Sequence, residues 1–420
     1  MAVDRRRPYD RQEALARYQE RRRQEMEAEQ ARRDRIRRRK EKQEESRELA
    51  KGPIDLPFCL LVLLLTAIGL IMLLSASFPS AYYEDGTNNN PLYYFIRQGV
   101  FAVAGIAAMF IISKINYQRF RGIARLLLYI AIGLLILVLV PGVGITRNNA
   151  TRWLGVGELF TFQPSEIAKV AVVIYFSSTI SQKKDRMRTL RYGIIPYAFI
   201  LLVTAGLVAL EPHLSGAILI LGVGAILMLV GGINWAWVFA AIGAAAGALY
   251  VILFVIGYNT SRITYWLDPW ADAQGSGYQL SQSLISIGSG GLLGVGLGKG
   301  RQKFLYFPEE HNDFIFAIVC EELGLIGATI IMLLFAALIL RGFWIALHAR
   351  DRFGSLLAVG VTSLVAMQTF LNIGVVTGLL PTTGISLPFF SYGGTALMLQ
   401  LAEMGIVLSV SRQMKPTKAG

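Results

Sequence analysis

Two cysteines, Cys59 and Cys320, and three histidines are all that the 420 residues contain. So few thiols exclude a disulfide-stapled scaffold, and both lie in apolar runs where cysteine acts as a small hydrophobe. No HExxH, CxxC or paired-histidine spacing occurs, which argues against a zinc ion held by protein ligands alone. GxSxG is absent, so there is no serine nucleophile elbow. Lys299 follows Gly298, but a Walker A loop needs glycine at 293 and Ser or Thr at 300, where this chain has Leu293 and Gly300. The glycine runs 288–291 and 294–298 follow no strand and open no βαβ unit, so they are not a dinucleotide fingerprint. They do allow tight turns and close backbone approach. No apolar leader follows Met1, and the first apolar run is expected to act as an uncleaved signal-anchor.

What is present is apolar surface in long runs. Hydrophobic residues make up 54% of the chain and the mean hydropathy is +0.49, values that suit a polytopic membrane protein. The net charge of +13 does not point to nucleic acid. Residues 1–53 hold 18 Lys/Arg and 12 Asp/Glu, and most other basic residues fall in short loops between apolar runs. Ten spans follow, at about 56–78, 92–113, 122–141, 163–182, 192–210, 214–231, 235–257, 314–340, 355–379 and 392–411. Basic clusters at 114–125, 183–191, 341–352 and 412–418 then share one side, and the loop 79–91 on the other has no Lys or Arg. The positive-inside rule makes that shared side cytoplasmic and puts both termini there. The expected architecture is an all-α polytopic membrane protein. It has a charged cytoplasmic tail (1–53), a ten-helix domain (54–413), a large extracytoplasmic loop between helices seven and eight (258–313), and a cytoplasmic C-terminus (414–420). The tail reads as a solvated extension that fixes orientation, or as an arm that binds a partner or anionic lipid.

Asp268 to Glu322 is the polar, glycine-rich stretch around which this apolar chain is organised. Asp313 closes it, between polar His311-Asn312 and apolar Phe314-Ile315. A carboxylate at the mouth of a membrane helix is costly to keep, and partial desolvation there would make it a better base. The competing reading is a helix N-cap, and one residue can serve as both. Glu309 and Glu310 add like charge nearby, and His311 is a hydrogen-bonding candidate. Arg152 could clamp a phosphate with its forked donors. Trp153 beside it also reads as an interfacial anchor. Lys299, Arg301 and Lys303 are basic on the outer side, against the topology rule, and read as contacts for lipid headgroups or for a substrate diphosphate. Glu166 and Lys169 have i,i+3 spacing for an ion pair inside the bundle. Glu211 and His213, at a tight turn, are expected at a polar cavity or at the outer interface. A hydrated Mg²⁺ or Mn²⁺ bridging a carboxylate and a diphosphate is compatible with these residues, whereas an organic cofactor has no motif here.

Several stretches in order resemble the SEDS family of shape, elongation, division and sporulation proteins, FtsW, RodA and SpoVE. They are Ala150-Thr-Arg-Trp-Leu-Gly155 with Gln163-Pro-Ser-Glu-Ile-Ala-Lys169, then Gly277-Tyr-Gln, Gln282-Ser, Pro308-Glu-Glu-His-Asn-Asp-Phe314 and Glu321-Glu-Leu-Gly324. The last is NIGVVTGLLPTTGISLPFFSYGGT from Asn372. The resemblance covers about residues 54–411 and is nearer to FtsW and SpoVE. It implies a peptidoglycan glycosyltransferase that polymerises lipid II in cell division with inversion and release of undecaprenyl diphosphate. Asp313 then matches the essential acid and Trp153 the important tryptophan. Arg152, Lys299, Arg301, Lys303, Glu309, His311, Ser391 and Tyr392 become substrate contacts. Thr383 stands where some FtsW proteins have lysine, and Asn312 where many have threonine. The implied partners are a class B penicillin-binding transpeptidase and other division proteins, at the bacterial cytoplasmic membrane. A lipid II flippase and a division scaffold are the alternatives.

Overall fold

In lipid a backbone N–H or C=O finds partners only within helices or closed sheets, so long apolar runs fold as helices. The computed structural model describes residues 16–24, 26, 29–30, 52–147, 150–156, 160–237, 239–240, 243, 247, 260–275, 277–304 and 312–414. The chain divides into two units, Met1–Leu49 and Ala50–Gly420. In the first, residues 16–24 are helical and exposed, as their Ala, Arg, Gln and Glu content favours. The second holds the helices α1 (Leu56–Tyr83), α2 (Tyr93–Lys114), α3 (Gln118–Val138), α4 (Pro164–Lys183), α5 (Ile195–Leu210) and α6 (Leu214–Val230). After these come α7 (Thr260–Leu267), α8 (Tyr278–Gly290), α9 (Ile315–Leu347), α10 (Arg352–Val376) and α11 (Gly394–Ser411).

Seven of the described helices are long and apolar enough to cross a membrane: α1, α2, α3, α5 with its preceding turn, α9, α10 and α11. α6 is apolar but has 17 residues. α4 has 20, but Glu166, Lys169 and several serines dilute its hydropathy. It tolerates them because its flanks are covered by α3, α6 and α10, which leaves Lys169 only 3% exposed. The seventh expected span, 235–257, lies largely outside the described residues. α10 is the hub, packed against α4, α6, α9 and α11.

Two outer segments hold more structure than expected. Residues 142–162 contain a three-stranded antiparallel sheet, β1 (Ile145–Arg147), β2 (Ala150–Val156) and β3 (Phe160–Phe162). Its register sets Ile145 opposite Trp153, a β-branched and aromatic pair, and Leu154 opposite Phe162, both apolar pairs that suit a pleated surface. Within the expected loop 258–313 lie α7 and α8. Trp266 in α7 donates its indole N–H to the Gly378 carbonyl (2.8 Å), and Ser283 in α8 donates to the Val376 carbonyl (2.7 Å). These bonds satisfy carbonyls just where α10 ends.

α9 is broken at Gly324, whose φ of 66° and ψ of −172° suit glycine almost alone. The loop after α8 fills the break. Val295 and Gly296 donate to the Glu321 and Glu322 carbonyls (3.0 and 3.1 Å), while Leu325 and Ile326 donate to Gly291 and Leu292 (2.9 and 3.1 Å). Two carbonyls before the break and two N–H groups after it thus gain partners from the loop.

Candidate active site

The turn 312–314 leads into α9 and carries Asp313, half-buried. The N-cap position falls on Phe314, with no side-chain cap bond, so Asp313 is not the helix cap that its position allowed. Its backbone is clamped from two sides. Asn372 of α10, itself buried, donates from Nδ2 to the Asp313 carbonyl (2.7 Å) and to that of Ile385 (2.6 Å). Ser391 donates its hydroxyl to the Asn312 carbonyl (2.6 Å) and accepts from Leu387 N–H (2.8 Å). The loop between α10 and α11 is therefore tied to the backbone that carries the carboxylate. Gly384 in that loop has φ +68°, and a Cβ built on it would lie 3.2 Å from Asp313 Oδ2. Glycine meets the backbone requirement and keeps space open beside the carboxylate.

Neighbouring helices hold the same loop. Gln98 of α2 donates to the Ser391 carbonyl (3.1 Å) and accepts from Gly393 N–H (3.2 Å), and Ser215 of α6 donates to the Gly384 carbonyl (3.3 Å). Tyr392 is half-buried and meets Tyr94 edge-on, centroids 4.8 Å apart, while Tyr94 donates its hydroxyl to Glu84. Ser391 thus shapes the loop from a buried position, and Tyr392 belongs to an aromatic pair beside it.

A second polar cluster lies past Ser215. Arg152 on β2 donates from Nε to the Glu211 carbonyl (3.1 Å) and from Nη2 to the Pro212 carbonyl, so two of its donors hold the turn between α5 and α6. Trp153, next on the strand, is half-buried. Glu211 is fully buried, and neither carboxylate oxygen has a hydrogen-bond partner among the described residues. Burial pushes its carboxyl up to about 8 although Arg152 pulls the other way. His213 is held at about 3, chiefly by burial and then by Arg152 and Lys169. Gln163 Nε2 lies 3.0 Å from its Nδ1, so a neutral imidazole accepts from the amide. Glu166 and Lys169 pair at 2.8 Å as their spacing suggests, with buried Glu403 of α11 in electrostatic reach of both.

The three basic residues after α8 separate. Lys299 and Arg301 are exposed. Lys303 is 3% exposed, and its ammonium is taken up by Glu322 (2.7 Å) and Ser75 (2.9 Å), which leaves it a partner within the protein where a diphosphate was expected. Glu309 and His311 lie outside the described residues. Among the described residues no group of three or more His, Cys, Asp or Glu side chains could hold an ion. One half-exposed carboxylate with space beside Gly384 suits a hydrated Mg²⁺ or Mn²⁺ shared with a diphosphate better than a protein cage. Sequence reasoning does not single out Ser75 or Gln98, and although Asn372, Gly384 and the Glu321–Glu322 pair lie in stretches that carry the resemblance, it assigns no role to them. Their common signal is a polar group, or a glycine, inside or beside an apolar run.

Residues 56–416 match the family model described as cell cycle protein, that of FtsW, RodA and SpoVE. Stage V sporulation protein E of Bacillus subtilis (strain 168) is 44% identical over 359 residues, spanning 85% of this chain and 97% of that protein. A probable peptidoglycan glycosyltransferase FtsW of Geobacter metallireducens is 38% identical over 365 residues, 86% of this chain and 96% of that one. Among solved structures, a chain from a peptidoglycan synthase complex that coordinates polymerization and crosslinking superposes with a TM-score of 0.70. It is 29% identical and covers 86% of this chain and 98% of its own. RodA of Thermus thermophilus gives 0.63 at 27% identity, covering 87% and 98%.

Proposed function

The chain belongs to the cell cycle protein family of FtsW, RodA and SpoVE, and on that premise we propose that it is a peptidoglycan glycosyltransferase that polymerises lipid II during cell division. The observation that carries the reading is half-buried Asp313, whose backbone and that of Asn312 are clamped by Asn372 and Ser391, with Gly384 holding space beside its carboxylate. The 4-hydroxyl of an acceptor GlcNAc is a poor nucleophile until a base takes its proton. Asp313 takes that proton as the oxygen attacks the anomeric carbon of the donor, and the bond to the undecaprenyl diphosphate oxygen breaks. One base and one displacement invert the anomeric centre, unlike the two-carboxylate retaining arrangement.

Charge grows on the departing diphosphate, and exposed Lys299 and Arg301 are its contacts in this reading. Arg152, which holds the 211–212 turn, and half-buried Trp153 and Tyr392 are the phosphate and sugar contacts in this reading. Glu309 and His311 complete the proposed contacts. A divalent ion bound by Asp313 and the diphosphate would offset the same charge. In this reading both termini are cytoplasmic and Asp313 lies outside, which the placement of the basic clusters supports. A class B penicillin-binding transpeptidase is the proposed partner, since a new strand must also be cross-linked.

The test is lipid II polymerisation by the purified full-length protein. Asp313→Ala, with an unchanged thermal unfolding profile, is expected to lower the rate by about 10²–10⁴-fold. Normal polymer from that variant overturns the assignment, and inside-to-outside movement of lipid II indifferent to Asp313 favours transport instead.

A further inference from the structure

α1 and α9 are tied to each other at two heights. At one end Arg341 makes paired bonds to Asp55, the shortest 2.8 Å. At the other, the Ser75 hydroxyl donates to Glu322 (2.7 Å), which also takes Lys303. Asp55 and Ser75 are 20 positions apart, Glu322 and Arg341 are 19. At 1.5 Å per helical residue both separations come to about 30 Å, the thickness of a bilayer's hydrocarbon core. Polar ties sit most cheaply at its two boundaries, so Glu322 marks the outer one. The first turns of α9, 315–323, then stand in the headgroup layer.

The loop 291–304 lies at that boundary and is held from within. Glu321 accepts from the Arg301 and Gln302 N–H groups (2.7 and 3.3 Å), and Glu322 accepts from Gly298 N–H (3.0 Å). A Cβ on Gly300 would meet both carboxylates, at 3.0 and 3.1 Å. What so firmly held a loop presents outward is unusual in combination. Leu292, Leu293 and Leu297 are 67%, 80% and 53% exposed, with Lys299 and Arg301 exposed just after them. Leucines facing water would be costly, whereas at the edge of the hydrocarbon they face lipid tails. Two cations in the outer headgroup layer run against the topology rule and call for an anion. Glu321 lies six residues beyond Ile315, about 9 Å along α9, and Asp313 sits in the turn just before that helix. A sugar ring plus the reach of a lysine or arginine side chain bridges that gap.

We propose that this loop is an outer-leaflet docking site for the polyprenyl diphosphate end of the donor. Lys299 and Arg301 take the diphosphate, and Leu292, Leu293 and Leu297 take the first isoprene units. Ser75, Lys303, Glu321 and Glu322 are positioning residues that keep the two halves of the site together. The proposal rests on the glycosyltransferase reading for the donor's identity, and adds that the chain and not only the headgroup is recognised.

The experiment measures binding to the full-length protein in phosphatidylcholine nanodiscs, with each ligand dosed by its mole fraction in the bilayer. The probes are undecaprenyl diphosphate, diacylglycerol diphosphate and phosphatidylglycerol. Undecaprenyl diphosphate is expected to bind about tenfold or more tightly than phosphatidylglycerol, and Lys299→Gln/Arg301→Gln to weaken both diphosphates by a similar factor. Leu292→Ser/Leu293→Ser/Leu297→Ser is expected to remove any preference for a prenyl over an acyl chain while sparing headgroup discrimination. Ser75→Ala, a mild change, is expected to weaken diphosphate binding with little shift in Tm. Equal competition by phosphatidylglycerol, or a serine triple variant that binds as wild type, overturns the site. With a chelator present, no divalent ion bridges Asp313 and the diphosphate, and Asp313→Ala is expected to bind the diphosphates as the wild type does. Without the chelator it is expected to polymerise about 10²–10⁴-fold more slowly. If the wild type makes no polymer yet shows the binding pattern, the enzyme reading fails and the lipid-diphosphate site stands.

Discussion

Glu211 is the residue whose chemistry departs furthest from its sequence appearance. In the chain it is one acid before a proline; in the fold it is sealed at the turn between α5 and α6, outside the spans, with burial lifting its carboxyl from 4.5 to about 8. The sign follows from linkage. Between those values the unfolded chain releases the proton and the folded one keeps it, so rising pH removes stability across that window. Glu211→Gln cannot ionise and escapes the loss. Its Tm in detergent is expected to exceed the wild-type value at pH 8, with the gap closing toward pH 5. His213, held at about 3, begins to cost stability only below its ordinary value of 6.5, and does so in both proteins. The difference between them therefore isolates Glu211, and a gap of equal size at both pH values would show that it ionises normally.

At the scale of elements, α9 and the loop that completes it carry the same lesson. A span beginning near Asp313 is plain from the apolar run, and the Glu-Glu-Leu-Gly stretch stands out within it. That Gly324 breaks the helix is invisible without the partner strand of backbone, because glycine inside a helix is more often a mild defect than a break. The same holds for α8, whose short apolar face is too brief to signal a helix until α9 and α10 supply its other side. A Cβ on Gly324 would lie 2.2 Å from Gly294 N and 2.6 Å from Leu292 O, both backbone atoms that cannot yield cheaply. Gly324→Ala is thus expected to expel the loop from the break. Trypsin should then cut at Lys299 or Arg301 much faster than in the wild type, at a temperature where both proteins keep their helical circular dichroism. Unchanged cleavage would mean that the break tolerates a side chain.

Over the whole molecule, most span positions were legible because lipid imposes a length on every crossing, while the proposed sidedness rests on lysine and arginine collecting in the same set of loops. Asp313 was legible too, as a charge where the apolar pattern forbids one. The neighbours that hold it were not, since Asn372 and Ser391 act across 59 and 79 residues. The ties between α1 and α9 reach further still, 286 and 247 residues, where no local pattern points. The inner tie can be tested by a double-mutant cycle. The Asp55 side chain is 3% exposed and also caps α1 by accepting from Phe58 N–H (3.0 Å), while the Arg341 guanidinium lies 4.0 Å from the Trp344 ring centre. Arg341→Met leaves a buried carboxylate without its cation, the costlier way to break such a pair. Asp55→Asn keeps a capping oxygen but removes the charge that Arg341 answers. The double variant is expected to unfold at a higher temperature than Arg341→Met alone, with a coupling energy of about 0.5–3 kcal/mol. Additive losses in Tm would show that the two side chains do not hold α1 to α9, and would remove the inner mark of the 30 Å span on which the membrane boundaries were placed.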